Sequence, residues 1–296
     1  MNNLKIYNLG SLNIDYVYSV EHFVKAGETL SSQKMEIFPG GKGLNQSVAT
    51  AKGGRTIIHG GIIGQDGKFL IDILEKSGAD TSRIKITDQT TGHAIIQVDK
   101  SGQNCILLFG GTNQLVDKEY IEYFLSDAKT DDILILQNEI SGLEEIFEIA
   151  HSKGMQIVFN PSPLSVNVKN LPLRYVKWWF CNEIEGEELF GSNIPENIAE
   201  NFIKKFPESN LILTLGKNGC LFKNKELCFT VPIYEAQVVD TTAAGDTFTG
   251  FFISSIAKGV EIKKALDIAT KASSITVSRM GASSSIPTME EVEKLY

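Results

Sequence analysis

Asp246 is the residue whose neighbours best equip it to move a proton. It stands in Val239-Asp240-Thr241-Thr242-Ala243-Ala244-Gly245-Asp246-Thr247-Phe248, after a strand-like run and before a helical pattern of Phe248, Phe251, Phe252, Ser255 and Ile256. Small residues at a helix start leave backbone N–H groups unhindered and unpaired. Those donors and the helix dipole together favour an anion. A carboxylate in the first turn is stabilised by the same dipole. With a phosphate seated there, Asp246 lies beside the reacting centre and can accept a proton from an attacking hydroxyl. The stretch reads equally well as a tight strand-to-helix turn that Asp246 merely decorates.

A second segment, Phe38-Pro39-Gly40-Gly41-Lys42-Gly43-Leu44-Asn45-Gln46-Ser47-Val48-Ala49, has glycines that let backbone approach a ligand, and Asn45 is expected to begin a helix. Lys42 is followed by Gly43, so this is not a Walker A loop, and Gln46 breaks the spacing of a dinucleotide site. A polar, glycine-lined loop with Lys and Asn suits a polyhydroxylated ligand; an ordinary Gly-rich turn has the same composition. Cys105, Cys181, Cys220 and Cys228 have no Cys-x-x-Cys spacing, and the histidines are scattered. Reduced, mostly buried thiols are expected rather than a zinc site or disulfides.

The elements that must position these residues follow from the apolar pattern. Ile6–Leu9, Ile57–Ile63, Ile133–Gln137, Ile157–Phe159, Trp178–Cys181 and Leu211–Leu215 are short apolar runs bounded by Gly, Pro, Asn or Asp, as buried strands are. Helical spacing falls between them, as in Ile198, Phe202, Ile203 and Phe206, and again in Ala265, Ile268, Ala269, Ala272 and Ile275. This alternation predicts an α/β fold with a mainly parallel sheet covered on both faces. Two regions break it, at about 12–38 and 90–110. The second has the hairpin signature Lys100-Ser101-Gly102-Gln103. Both are expected to form a small antiparallel sheet, a lid inserted into a single domain spanning 1–296.

Composition excludes several classes. Lys and Arg number 28 against 36 Asp and Glu, so 28 − 36 gives a net charge of −8, and no long basic cluster offsets it. That disfavours nucleic-acid binding. Apolar runs fall short of the roughly 18 residues of a membrane span. The Met1–Lys5 start lacks a signal-peptide layout, so a cytoplasmic protein is expected.

Together the two glycine-containing segments resemble the paired signatures of the ribokinase-type (PfkB) carbohydrate kinases: Gly-Gly-Lys-Gly-x-Asn early and Asp-Thr-Thr-x-Ala-Gly-Asp late. Ordered matches run through nearly the whole chain, among them Asn13 and Asp15, Gln137-Asn138-Glu139, Asn182-Glu183-Ile184-Glu185, Thr214-Leu215-Gly216-Lys217-Asn218-Gly219 and Ser278-Arg279-Met280-Gly281. The resemblance implies a ribokinase-like three-layer fold with a β lid and ATP-dependent phosphorylation of a sugar. D-ribose, giving ribose 5-phosphate, is the first candidate; another sugar, a sugar acid or a nucleoside is the alternative. It implies Asp246 as general base, with the backbone N–H groups of Ala243, Ala244 and Gly245 stabilising the charge of transfer. Asn13, Asp15, Gly41, Lys42, Asn45 and Glu139 would contact the sugar. Asn182, Thr214, Gly216, Gly219, Gly245 and Thr270 would contact the nucleotide, and Glu185 would hold Mg²⁺ through water. Asp240, Thr242, Thr276, Arg279, Gly281 and Ser285 would hold K⁺; Arg279 and Ser285 read alternatively as surface and loop residues. A homodimer through the lid is also implied. Three positions depart from the family pattern. Thr270 stands where His or Asn is common near the adenine, and Lys271 beside it has a solvated face as its simplest account. His93 stands at a lid strand where a small or aliphatic residue usually touches the sugar.

Overall fold

Ile133-Leu134-Ile135-Leu136-Gln137 has no polar face, and every residue of it is buried. Leu134 and Leu136 pack into one hydrophobic core, Ile133 and Ile135 into another. Alternate side chains of a strand point to opposite faces, so this strand runs through the middle layer of three. A computed structural model, describing residues 4–295, shows the layers in full.

The chain enters through β1 (Ile6–Leu9), then rises out of the core as β2 (Asn13–Ser19) and returns as β3 (Lys34–Gly40). Next come α1 (Lys42–Lys52), β4 (Ile57–Gly60), β5 (Ile62–Gly64), α2 (Lys68–Ser77) and β6 (Lys85–Thr87), with β5 and β6 paired in parallel. The hairpin of β7 (Gly92–Val98) and β8 (Asn104–Phe109) follows, turning at Gly102 with φ 80° as the sequence pattern demands. The alternation then resumes with α3 (Lys118–Phe124), β9 (Ile133–Gln137), α4 (Leu143–Ser152), β10 (Gln156–Asn160), β11 (Val176–Asn182), α5 (Glu183–Phe190), α6 (Pro195–Lys205) and β12 (Asn210–Thr214). Two further strands, β13 (Cys220–Lys223) and β14 (Cys228–Val231), precede α7 (Ala244–Ala257), α8 (Ile262–Val277) and α9 (Met289–Lys294).

The eight-stranded sheet has the order β14-β13-β12-β11-β10-β9-β1-β4. It is parallel from β12 to β4, with β13 and β14 antiparallel at one edge. Phe124, Phe147, Phe159, Trp179 and Phe202 fill the core on one side, and Leu44, Val48, Phe248, Phe251, Phe252 and Leu266 fill it on the other. Among the described residues no helix is long and apolar enough to cross a membrane.

Five expectations need correction. The lid sheet, ordered β3-β2-β7-β8, is mixed: β2 pairs in parallel with β7, with Asn13 opposite Gly92. Both strands climb away from the core from neighbouring starting points, so they run the same way. Ile57–Ile63 is two strands, broken at Gly61. The first-lid helix starts at Lys42, a turn earlier than Asn45. Its N-cap, Gly41, has φ 95°, a conformation that favours glycine, and this lets the chain turn from β3 into α1 at once. The residues before Ala243, from 232 to 243, lie in neither strand nor helix, so the late motif follows an irregular segment. Finally, only Cys181 and Cys220 are buried; Cys105 and Cys228 are exposed, and all four are free.

Candidate active site

A cavity of about 970 Å³ opens where the parallel strands end, beneath the lid. Crevices at the carboxyl ends of parallel strands are where open α/β sheets bind ligands. Asn160, Asn182 and Thr214, the last residues of β10, β11 and β12, line it. The lid contributes Asn13, Asp15 and Val17 from β2, Ala94, Ile96 and Val98 from β7, and Ile106 and Leu108 from β8. Gly41, Lys42 and Asn45 enter from α1, and Glu139 from just beyond β9. The far wall is the turn from Asp240 to Asp246 together with Gly281.

That wall is built around the start of α7. Ala243 is a non-glycine residue held at φ 60°. Such a conformation stores strain and tends to occur at functional turns. Thr247 N–H donates to Ala243 C=O at 2.8 Å, while Ala244 N–H reaches Thr241 C=O at 3.3 Å, so one of the donors expected to be free is weakly occupied. A side chain added at Gly245 would meet open space, so the start of the helix faces an uncovered volume there. Asp246, 7% exposed, sits in the first turn. Its Oδ2 accepts from Asn45 Nδ2 at 3.1 Å and its Oδ1 from Gln46 Nε2 at 2.9 Å.

Charges converge on the same space. Glu139 Oε2 accepts from the Lys42 backbone N–H at 3.0 Å and from the Ser11 hydroxyl. Burial pushes the Glu139 carboxyl up, with Asp246 adding to the push, against the Lys42 ammonium and the Ser11 bond. Burial disfavours the Lys42 charge, but Asp246, Glu139 and Glu185 together outweigh it and leave its pKa above the ordinary value. The Asp15 carboxyl is raised to about 7 by burial and by Glu139. On the other side of the cavity Asn182 caps α5: its Oδ1 accepts from Glu185 N–H at 2.8 Å, and Glu185 Oε2 accepts from Asn182 N–H at 3.0 Å. Local physics explains this corner, since a capping box satisfies two helix-end donors reciprocally.

Asp240 ties two loops together. Its Oδ1 accepts from Thr242 N–H and Oγ1–H at 2.9 and 2.6 Å, and its Oδ2 from Gly281 N–H at 2.9 Å. Burial works against the charge, but these donors outweigh it and hold the carboxyl below its usual range. The rest of the expected cation set stands further back. The Thr276 hydroxyl is engaged with Thr247 and Ala272, and Thr276 C=O accepts from Arg279 N–H. Arg279 pairs with Glu291 at 2.6 Å, and Ser285 Oγ–H donates to Ala282 C=O at 2.7 Å.

Gly216, Gly219 and Thr270 do not line the cavity. They gather beside it: the Thr270 hydroxyl donates to Leu266 C=O at 2.8 Å and also meets the thiol of Cys220, which directly follows Gly219. Lys271 is not on a solvated face, for its ammonium is 3.5 Å from Asp267 and 5.0 Å from the Tyr234 ring centre. His93 points away from the cavity, its ring between Tyr16 and Phe109, and Ala94 takes the inward position. Sequence reasoning passed over Gln46; the available signal was a polar side chain within a helical run of small and apolar residues.

Residues 3–289 match the family described as pfkB family carbohydrate kinase. The chain is 35% identical over 292 residues to a ribokinase of Haemophilus influenzae, covering 96% of this chain and 95% of that one. A ribokinase structure from Thermotoga maritima superposes with TM-score 0.86 at 38% identity, covering 98% of each chain. The structure of an Arabidopsis thaliana ribokinase complexed with ribose and ATP does so with TM-score 0.87 at 28% identity, covering 99% of this chain and 98% of that one. With the family matched along almost its whole length and this arrangement of side chains at the ends of its strands, the chain belongs to the pfkB family of carbohydrate kinases.

Proposed function

We propose that this chain is a single-domain ribokinase that moves the γ-phosphoryl group of ATP to the primary hydroxyl of D-ribose, with Asp246 as the general base. The observation that carries this reading is the position of Asp246: nearly buried, on the first turn of α7, between a polyol-binding wall and an anion-binding turn. Asn13, Asp15, Lys42, Asn45 and Glu139, with Gly41 backbone, offer the mixture of acceptors and donors that vicinal hydroxyls require. Asp246 takes the hydroxyl proton, the oxygen bonds to the γ-phosphorus, and the bond to the β-phosphate oxygen breaks to release ADP. The N–H groups of Ala243 and Gly245, and that of Ala244 once it leaves Thr241 C=O, would stabilise the charge that develops in transfer.

Asn182 and Thr214 border the nucleotide side, and Gly216, Gly219 and Thr270 cluster just beyond it. The Glu185 carboxylate uses Oε2 in its capping box, and Glu185 would hold Mg²⁺ through water, the ion supplying charge to neutralise the phosphates. Asp240, Thr242 and Gly281, joined through one carboxylate, would hold K⁺ together with the Arg279 carbonyl and oxygens of Thr276 and Ser285 drawn in from further back, and the ion would strengthen the field at the anion-binding turn. The ribose complex of the Arabidopsis thaliana relative supports the choice of sugar.

Asp246→Asn keeps the shape and loses the basic oxygen. It is expected to lower ribose phosphorylation by roughly 10³-fold with its melting temperature retained. The readout is ADP release over a panel of sugars and nucleosides in K⁺ buffer. Near-wild-type turnover by the variant overturns the base, and a wild type that prefers another acceptor overturns ribose.

A further inference from the structure

Gln46 has no exposed surface and no part in the roles above, yet it touches the proposed base. Its Nε2 donates to Asp246 Oδ1 at 2.9 Å. Behind it, Gln137 Nε2 donates to Gln46 Oε1 at 2.7 Å and to Asn8 Oδ1 at 3.1 Å. Asn8 Nδ2 in turn donates to Gly43 C=O and to Ser47 Oγ, both at 2.8 Å. Ser47 Oγ lies 2.7 Å from Nδ1 of His59, whose pKa burial depresses to about 3, so the chain of bonds ends on a neutral ring. Both amide hydrogens of Gln137 and both of Asn8 are used, so neither amide can turn over without losing a bond. Gln46 is thereby fixed with its oxygen toward Gln137 and its NH₂ toward the carboxylate.

The two oxygens of Asp246 are therefore not equivalent. Oδ1 is held from the protein interior, whereas Oδ2 meets Asn45, which lines the cavity with Asp246 itself. We propose that Gln46 is a positioning residue that pins Asp246 through Oδ1 and leaves Oδ2 as the atom that takes the hydroxyl proton. The inference rests on the reading of Asp246 as general base. Lys42 from α1 and Glu139 from beyond β9 bring their charges to Asp246, Glu185 from α5 acts on Lys42, and α8 brings the Ser273 and Thr276 hydroxyls to α7. None of these changes when Gln46 does.

Gln46→Met keeps the length of the side chain and removes the donor. A carboxylate that loses one of its two donors is free to turn, so its reacting oxygen is presented to the hydroxyl less often. In ribose- and ATP-dependent assays the expected results are a fall of roughly 10-fold in kcat, with the ribose KM changed less than about twofold. Gln137→Met removes the support of Gln46 and lowers kcat in the same way by less. Should Gln46→Met fail to fold, Gln137→Met carries the test by the same readout. An unchanged kcat in the folded variants, or a raised KM at constant kcat, overturns the proposal. Asp246→Asn in the same assay separates the two readings. If it turns over near the wild-type rate, the base assignment fails. If it is inactive while the glutamine variants keep the wild-type profile, only the positioning role fails.

Discussion

Asp15 sits where a carboxylate is costly, and in the proposed sugar site its proton would report binding. Burial and the neighbouring Glu139 raise its pKa from 3.8 to about 7. The folded chain thus holds this proton more tightly than the unfolded chain does; the associated stability is fully present below the ordinary carboxylate pKa and is lost as the pH rises through about 7. A sugar hydroxyl donating to Asp15 favours the charged form, so binding releases the proton. Calorimetric ribose affinity without ATP is expected to tighten by up to ~10-fold between about pH 6 and pH 8, and Asp15→Asn to flatten that dependence. Affinity independent of pH in the wild type would count against it. At this scale the glycine loop and the turn before Asp246 were legible because small residues cluster there, while Asn13, Asp15, Glu139 and Asn182, none of them next to a glycine, were legible through the resemblance. His93 and Gln46 were not. Which lid residue faces the cavity depends on the register of β7 against β2, Asn13 opposite Gly92, and a one-residue step exchanges His93 for Ala94. Gln46 becomes informative only when α1 is laid against α7.

That contact between helices sets the distance from Asn45 and Gln46 to Asp246, and Gly250 sets the contact. A Cβ on Gly250 would lie 2.4 Å from Ala49 Cβ and 2.6 Å from the Thr50 backbone nitrogen, so a helix would have to move. Replacing an internal helical glycine by alanine gains up to ~1 kcal/mol of propensity. Overpacking against backbone costs ~1–3 kcal/mol or more, so the clash outweighs the gain. Gly250→Ala is expected to lower the melting temperature by on the order of 5 °C. Its kcat should fall more than its ribose KM rises, because the movement separates α1 from Asp246. A melting temperature at or above that of the wild type would show that the helices have room. The central strands were legible because a run such as Ile133–Gln137 is apolar on both faces. The parallel pairing of β2 with β7 was not, since it joins segments some eighty positions apart whose local patterns suit either direction.

At the scale of the whole molecule, the lid is a sheet with too little covering it. In β8 all six residues from Asn104 to Phe109 are exposed, including Ile106 at 52%, Leu107 at 67% and Leu108 at 56%. Met35, Ile37 and Ile95 extend the apolar surface across the other strands. β8 pairs with β7 alone, so its outer edge offers unsatisfied backbone groups beside those side chains. A strand that is apolar on both faces and open at its edge invites pairing with another chain. The occupant proposed is the lid of a second copy, because the family resemblance implies it and because residues 104–109 carry no charge to repel an identical strand. Light scattering at micromolar concentration is expected to give twice the monomer mass. The double variant Leu107→Lys, Leu108→Lys places a charge on each face of β8 and is expected to give the monomer with a folded core. Because Leu108 lines the cavity and Leu107 does not, Leu107→Lys alone separates loss of the dimer from damage to the sugar site. A wild type that stays monomeric at that concentration would show that the lid is built for closing over its own cavity rather than for meeting a partner.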